Sequence, residues 1–437
     1  MSKVVKFGGS SLASAEQFQK VGNIIRADKD RIYVVPSAPG KRDSKDTKVT
    51  DMLYGCYALA DAGKEFEKEL MQIKARYDEI IAGLGLALSL EGEFATIREN
   101  FKNRAGSDYA ASRGEYLNGI VMAEYLGYRF LDAAEVIFFD ESGNFLAEKT
   151  NEVLAARVKE YDNVVLPGFY GSYPDGSIKT FSRGGSDITG SIVARAAEAD
   201  LYENWTDVSG FKMADPRIVD DPCTITTITY RELRELSYMG ATVLHEDAIF
   251  PVRYANIPIN IRNTNDPAAP GTMIVAAATD YDAEKIITGI AGKRGFSVIT
   301  IEKDMMNSEI GFGRKVLEVL EDNEISFEHL PSGIDTMSVV VPTTSLEGRR
   351  EKLMNAIVRA VRPDSVFIED GLALVAVVGR GMVKAKGTAA RVCDALANAD
   401  VNIRMIDQGS SELNIIVGVD EDEYEDALRA AYSEFVH

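Results

Sequence analysis

Residues 311–341 lie on residues 387–417 without a gap, at a constant offset of 76 (387 − 311). Gly311 falls on Gly387, Val316 on Val392, Leu320 on Leu396, Ile325 on Val401 and Phe327 on Ile403. Val339-Val340-Val341 falls on Ile415-Ile416-Val417. Few residues are identical; what repeats is the register of apolar positions. Each copy reads as strand, glycine-bearing loop, helix, strand, short turn, strand. The economical reading is one small α+β unit used twice, which confines roughly the last third of the chain to two copies of one architecture. A chain of 437 residues exceeds what one core organises, so the remainder requires a further domain.

That remainder opens with Val4-Val5-Lys6-Phe7, short and β-branched, followed by Gly8-Gly9-Ser10-Ser11. Ser14-Ala15-Glu16-Gln17 carries the capping-box pattern of a helix start, with Phe18, Val21 and Ile25 on one face. A second apolar strand, Ile32–Val35, ends at Pro36-Ser37-Ala38-Pro39-Gly40. Strand, glycine loop, helix, strand is the opening of a parallel α/β sheet. Residues 41–49 read as a polar exposed loop, and about 50–128 as a helical excursion from the sheet. Within it Phe66, Leu70, Ile73, Tyr77 and Ile80 recur at helical spacing. Strands are expected at Val136–Phe139, Val164–Leu166, Leu201–Trp205, Pro258–Arg262 and Thr272–Val275, with helices at 151–160 and 187–199.

Charge narrows the function. The 68 acidic residues outweigh 48 basic ones, a formal net charge of −20, and no basic patch breaks the excess. Such a surface repels nucleic acid and anionic lipid, so neither is an expected partner. Cys56, Cys223 and Cys393 are far apart and His245, His329 and His437 scattered, so no cysteine- or histidine-based metal site is expected. The start, MSKVVKFGGSSL, lacks the apolar core of a signal peptide, and no stretch has the ~18 apolar residues of a membrane helix. A cytoplasmic protein is the expectation.

No P-loop pattern occurs, and Gly379-Arg380-Gly381 has Lys384 where a dinucleotide fingerprint needs its third glycine. Lys6 with Gly8 and Gly9 can cradle an anion, because glycines after a strand let backbone N–H groups approach it and the lysine adds charge; the same residues can also be a plain tight turn. Ser182-Arg183-Gly184-Gly185-Ser186-Asp187 leads into a helix. Its arginine suits bidentate capture of a carboxylate, and Ser186 and Asp187 can equally be N-cap and first-turn residues. Ser112-Arg113-Gly114-Glu115 reads as another capping box. Trp205-Thr206-Asp207-Val208-Ser209-Gly210 ends a strand in a loop suited to ribose and adenine.

Taken in order, VVKFGGSSL, SAPGKR with KVTD, SRGE, SRGGSD, WTDVSGFKMADPR and MGATVLH resemble the signature segments of the aspartokinase family. The resemblance spans the whole chain. It implies an amino-acid-kinase α/β/α sandwich with a mostly parallel sheet over residues 1–288. Two ferredoxin-like α+β ACT domains follow over 289–437, the first about 297–360 and the second about 371–437. It implies transfer of the γ-phosphoryl group of ATP, with Mg²⁺, to the β-carboxylate of L-aspartate, the first step toward lysine, threonine and methionine.

By the same resemblance Lys6 and Asp187 are the catalytic pair, with Lys6, Gly8 and Gly9 on the phosphates. Arg183 takes the α-carboxylate and Glu115 the α-ammonium of the substrate. Ser37, Thr50 and Ser186 lie around the aspartate, and Thr206, Asp207, Phe211 and Arg217 around the nucleotide. Some members carry a phosphate-binding lysine where Thr242 stands and a proline where Glu246 stands. Met306, Ser308, Gly311, Phe312, Ser332 and Asp335 would border an effector pocket for lysine or threonine, in a homodimer or dimer of dimers joined through ACT domains.

Two other readings stay open at this level. One is a glutamate-, acetylglutamate- or carbamate-type kinase of the same fold. Glu115 with Arg183 favours a free α-amino acid, while the extra methylene of glutamate is worth only about 1–3 kcal/mol. The other is a non-catalytic amino-acid sensor, favoured by Thr242 and opposed by the retention of Lys6, Glu115, Arg183 and Asp187.

Overall fold

A computed structural model describes residues 1–182, 184–241, 249–277 and 285–436. The chain divides into two compact units, and the division is not a single cut. The first unit comprises Met1–Phe211, Thr224–Tyr230 and Val243–Ala278; the second comprises Lys212–Cys223, Arg231–Thr242 and Thr279–His437.

In the first unit, β1 (Lys3–Phe7) leads through α1 (Ala15–Arg26) to β2 (Arg31–Pro36), as the opening pattern predicts. Ser14 Oγ accepts from Gln17 N, so Ser14 caps this helix as read, but the reciprocal half of the box is not made: Gln17 Oε1 has no hydrogen-bond partner among the described residues. The excursion is α2 (Val49–Asp61), α3 (Glu67–Gly83), α4 (Glu91–Lys102) and α5 (Ser107–Leu126). Leu70, Ile73, Tyr77 and Ile80 of α3 are buried in one cluster with Phe94, Phe101 and Val121. The chain continues through β3 (Arg129–Phe130), α6 (Ala147–Val158), β4 (Val164–Val165), the hairpin of β5 (Tyr170–Ser172) and β6 (Ile178–Thr180), α7 (Gly185–Ala196) and β7 (Leu201–Thr206). It then forms β8 (Thr227–Thr229), α8 (Tyr230–Tyr238), α9 (Phe250–Tyr254), β9 (Ile259–Asn263) and β10 (Thr272–Val275).

Among the described residues these strands make an eight-stranded sheet in the order β3-β4-β2-β1-β7-β9-β10-β8. Only the β9–β10 pairing is antiparallel. Val4, Val5, Val34 and Val35 are at most 1% exposed, as strands covered on both faces require. β1 pairs β2 on one side and β7 on the other, so strand order reverses at β1. In open parallel sheets such a reversal leaves a crevice at the carboxyl ends of the strands, where ligands bind. Val136–Phe139, expected as a strand, makes only isolated bridges at Phe138 and Phe139.

Ser112-Arg113-Gly114-Glu115 is not a helix start either: it lies inside α5. Ser112 Oγ donates to Tyr109 O and accepts from Arg113, whose guanidinium sits 4.7, 4.3 and 5.4 Å from the ring centres of Tyr109, Tyr116 and Tyr170. The pattern of residue types was right for a cap. Tyr109 and Tyr116 flank Arg113 on the same helix, and the buried Tyr170 of β5 completes the cage from a distant segment.

The second unit carries the repeat. β11 (Gly289–Glu302) leads to α10 (Phe312–Asp322), β12 (Thr336–Pro342) and α11 (Arg350–Val361). β13 (Ser365–Val378), α12 (Thr388–Asn398), β14 (Ile403–Asp407), β15 (Asn414–Asp420) and α13 (Tyr424–Phe435) follow. β11 and β13 begin at the same offset of 76 (365 − 289), and Gly311 and Gly387 occupy equivalent left-handed N-caps at φ 82° and 86°. Each copy gains a second helix that the repeat did not announce. The segment matching β14 in the first copy forms only bridges at His329 and Ser332.

All five strands form one antiparallel sheet, β12-β11-β13-β15-β14. The two long strands exchange halves. Residues 296–302 of β11 pair with β12 and with 365–372 of β13, whereas 289–293 pair with 374–378. The apolar clusters divide the same way. Ile299, Val316, Val339 and Ile357 share one core with Val366 and Ile368; Ile290, Val375, Val392, Val417 and Leu428 share the other. The first module is thus inserted into the second.

Segments 212–223 and 231–242, read from sequence as part of the N-terminal domain, pack in this second unit. Ile290 N donates to Met213 O at 2.6 Å, Ala214 and Val219 join the core of the second module, and Arg380 pairs with the fully buried Glu232 at 2.9 Å.

Candidate active site

Lys6 ends β1 at the sheet's reversal point. Its amino group lies 2.5 Å from Asp187 Oδ1, with the two side chains only 9% and 17% exposed. Asp187 Oδ1 also accepts from Asn204 Nδ2 of β7 at 2.8 Å. The cap of α7 is Gly184, in the left-handed conformation at φ 60°, and no side chain caps the helix. Asp187 therefore serves Lys6 rather than the helix terminus, and Asn204 is a partner that nothing in its own segment singles out.

The glycine turn is built by close approach. Gly40 N donates to Gly9 O at 2.8 Å, and a methyl group on Gly40 would lie 2.6 Å from Gly9 C and 2.7 Å from Ser10 N. Arg76 holds this loop by donating to Gly40 O at 3.1 Å and to Asp46 at 2.9 Å. Asp46, in the loop expected to be exposed, is thereby tied down. Gly8 N–H is taken by Trp205 O at 3.0 Å, so Gly9, not Gly8, is the glycine whose N–H remains for an anion. Gly40→Ala is expected to destabilise the protein by about 1–3 kcal/mol through this backbone overlap and to raise the nucleotide KM. Thermal melts and steady-state kinetics check both.

Glu115 projects from α5 and is 6% exposed. Burial pushes its carboxyl up to about 8, against hydrogen bonding from the Ala38 backbone and the charge of Lys6. Its Oε2 has no hydrogen-bond partner among the described residues. A methyl group on Gly114 would lie 2.8 Å from Ala38 Cβ and 3.7 Å from Thr50 Oγ1, so a glycine here lets α5 close on the Ser37–Gly40 loop and the first turn of α2. Ser37 N donates to Phe7 O at 3.1 Å, fixing that loop beside Lys6. Ser186, 9% exposed, sits where a methyl on Gly168 would be 2.7 Å from its Cβ. Ser37, Thr50, Ser186 and Asp187 thus belong to the loops and helix starts around the carboxyl ends of β1 and β2, where Lys6 of β1 and Glu115 from the middle of α5 join them.

Other expected residues fare differently. Arg183, residues 242–245 of the MGATVLH segment and Glu246 after it lie outside the described residues. Thr206 and the exposed Asp207 end β7, with Thr206 Oγ1 3.2 Å from Asp207 Oδ1. Phe211 is 1% exposed and its N–H is given to Thr272 Oγ1 at 2.8 Å. It is a core anchor, not a stacking platform, because the turn at Gly210 (φ 93°) sends the ring inward. Arg217 belongs to the second unit, where its guanidinium is committed to Asp215 at 2.6 Å. In the first ACT-like module, Asn307 N donates to Ile334 O and Met305 N to Asp335 Oδ1, so the two loops carrying the expected effector residues meet. Ser308 Oγ and Ser332 Oγ bond backbone carbonyls of those loops. Met306 and Phe312 instead face the core, 6% and 4% exposed.

A lysine ammonium at a strand switch point, a glycine turn and a buried carboxylate form a site for an anion next to a cation. Comparison with known proteins agrees. Residues 1–263 match the amino acid kinase family and residues 375–435 an ACT domain. The chain is 40% identical to "Aspartokinase 3" of Bacillus subtilis over 99% of its length and 98% of the relative. The chain belongs to the aspartokinase family.

Among solved structures, the Clostridium acetobutylicum aspartate kinase shares 53% identity at a TM-score of 0.91, with 99% of each chain covered. Escherichia coli aspartokinase III, solved with aspartate and ADP in its R-state, shares 26% at a TM-score of 0.75 over the whole of both chains. The same enzyme with lysine and aspartate, in its T-state, shares 25% at 0.72. Aspartokinases phosphorylate aspartate, and the reaction of this chain is accordingly phosphoryl transfer from a nucleotide to a carboxylate, with an ACT region for control by amino acids.

Proposed function

We propose that the pocket between Lys6 and Glu115 binds ATP and L-aspartate and transfers the γ-phosphoryl group to the β-carboxylate, giving 4-phospho-L-aspartate and ADP. The observation that carries this reading is a buried lysine, paired with Asp187, in electrostatic reach of a buried carboxyl whose second oxygen has no partner among the described residues. An ionised β-carboxylate is already a nucleophile at neutral pH, so the protein needs to supply placement and positive charge rather than a general base. Lys6 neutralises charge on the transferring group, Gly9 offers its N–H beside it, and Thr206 and Asp207 flank the nucleotide. Glu115 receives the α-ammonium, Arg183 the α-carboxylate, and Ser37, Thr50 and Ser186 surround the substrate.

The described residues hold no cluster of three or more His, Cys, Asp or Glu side chains able to cage a metal. Mg²⁺ would be carried on the nucleotide phosphates and water, an arrangement usual for this ion, with Asp187, the carboxylate beside Lys6, available to it. Bound there, the ion would neutralise phosphate charge.

The effector is an amino acid, lysine or threonine, held by the loops around Ser308, Gly311, Ser332 and Asp335. Met305, Ile310 and Ile334 on those loops are 69%, 97% and 68% exposed, which supports a second copy of the module covering them in a homodimer or dimer of dimers. The kinase domain would run to about residue 288 and the tandem ACT region to the last residue. Three free cysteines, Cys56, Cys223 and Cys393, suit a reducing cytoplasm.

The test is ADP release with ATP, Mg²⁺ and aspartate, titrated with lysine, threonine and both. Aspartate-dependent turnover that falls with one of them is the expected result. No dependence on aspartate would refute the substrate.

A further inference from the structure

We infer that Asn118 is a second acceptor for the substrate's α-ammonium group, working beside Glu115; this rests on the reading of the pocket as an aspartate site. Residues 115 and 118 are three apart on α5 and so lie on one face of the helix. Asn118 is fully buried, and its Nδ2 donates to Ser37 O at 2.6 Å. That bond fixes the amide's sense, because the opposite one would set Oδ1 against another acceptor. Its Oδ1, like Glu115 Oε2, has no hydrogen-bond partner among the described residues. Both side chains meet the same short stretch of chain: Asn118 bonds Ser37 and Glu115 interacts with the Ala38 backbone.

Two buried acceptors one turn apart are costly while unmade and call for one group with several donors. Lys6 does not supply it, being paired with Asp187. A carboxylate or phosphate brings no donor to these oxygens, whereas a primary ammonium offers three N–H donors. Asn118 therefore adds to the discrimination between an α-amino acid and its amino-free counterpart. Its donor end also ties α5 to the β2 loop, so a purely structural role has to be told apart from this one.

The experiment compares wild type, Asn118→Leu and Asn118→Asp for the KM of aspartate, the KM of ATP and inhibition by succinate, which is aspartate without its amino group. Asn118→Leu should raise the aspartate KM by about ten-fold or more, as expected for losing a hydrogen bond to a charged group. The ATP KM and the succinate inhibition constant should stay within about two-fold. Asn118→Asp, which keeps an acceptor oxygen in place and in its protonated form still donates to Ser37 O, should retain the preference for aspartate over succinate.

Equal weakening of aspartate and succinate in Asn118→Leu would leave only the structural tie to Ser37 and overturn the inference. Should that variant melt near ambient temperature, Asn118→Asp decides alone, and a lost preference overturns it. A wild type without aspartate-dependent ADP release sinks the pocket's assignment and this inference with it. Wild-type turnover with unchanged preference in both variants sinks the inference alone.

Discussion

Lys6→Met is expected to lower kcat by about three orders of magnitude with the fold retained. Methionine keeps the buried stem in contact with the sheet but removes the charge at the strand end, and losing one preorganised electrostatic partner of a transition state costs about 10²–10³ in rate. The substitution also strands Asp187, whose carboxylate then keeps, among the described residues, Asn204 as its side-chain partner. Breaking a buried pair from one side destabilises by about 3–5 kcal/mol, so the thermal midpoint should fall. Lys6→Met combined with Asp187→Asn should recover most of that stability and none of the activity. This separates the structural role of the pair from the chemical one. Turnover within ten-fold of wild type in Lys6→Met would remove Lys6 from the phosphates.

Glu115→Gln is expected to raise the aspartate KM about a hundred-fold while making the ligand-free protein more stable at pH 8. The unfolded chain ionises this carboxyl from about 4.5, whereas the folded protein keeps the proton up to about 8. Between those values the folded state binds more protons, so ligand-free stability falls as pH rises, then levels off above about 8. Carrying the carboxyl from 4.5 to about 8 costs the folded state up to about 4 kcal/mol at pH 8, at roughly 1.4 kcal/mol per pKa unit. Glutamine escapes that cost and loses the ion pair with the substrate.

Aspartate binding has the complementary signature. An ammonium brought to Glu115 favours the carboxylate, so binding at pH 7 should release up to one proton. The aspartate KM should fall as pH rises toward 8. Calorimetry in buffers of different ionisation enthalpy reads the proton directly, and no release from wild type would mean that Glu115 does not face the ammonium. Glu115→Gln should release none.

Much of the scaffold was legible because it is local. Ser14 capping α1, the apolar spacing of α3 and the glycines at 311 and 387 are consequences of neighbouring residues, and each appears in the structure as read. The pairing of Lys6 with Asp187 was expected only through family resemblance, since nothing within either segment points to the other. Where local reading went astray, neighbours outside the motif itself were responsible. Ser112–Glu115 has the residue types of a helix start, but aromatic rings from α5 and from β5 enclose Arg113 and the helix runs through. Phe211 has the position of a nucleotide contact, but Gly210 turns it into the core.

The amino-acid order by itself determined the parallel α/β opening, the helical excursion, the doubled C-terminal module and the set of polar residues from which a site could be made. Those follow from periodicity and turn chemistry, which act over a few residues. Only the tertiary structure decided which half of each long strand completes which module, that residues 212–223 and 231–242 pack with the C-terminal modules, and that Glu115 and Asn118 keep buried acceptors open. Strand pairing and burial depend on groups dozens of positions or more apart, and a polar atom's lack of a partner is a property of the whole folded surroundings.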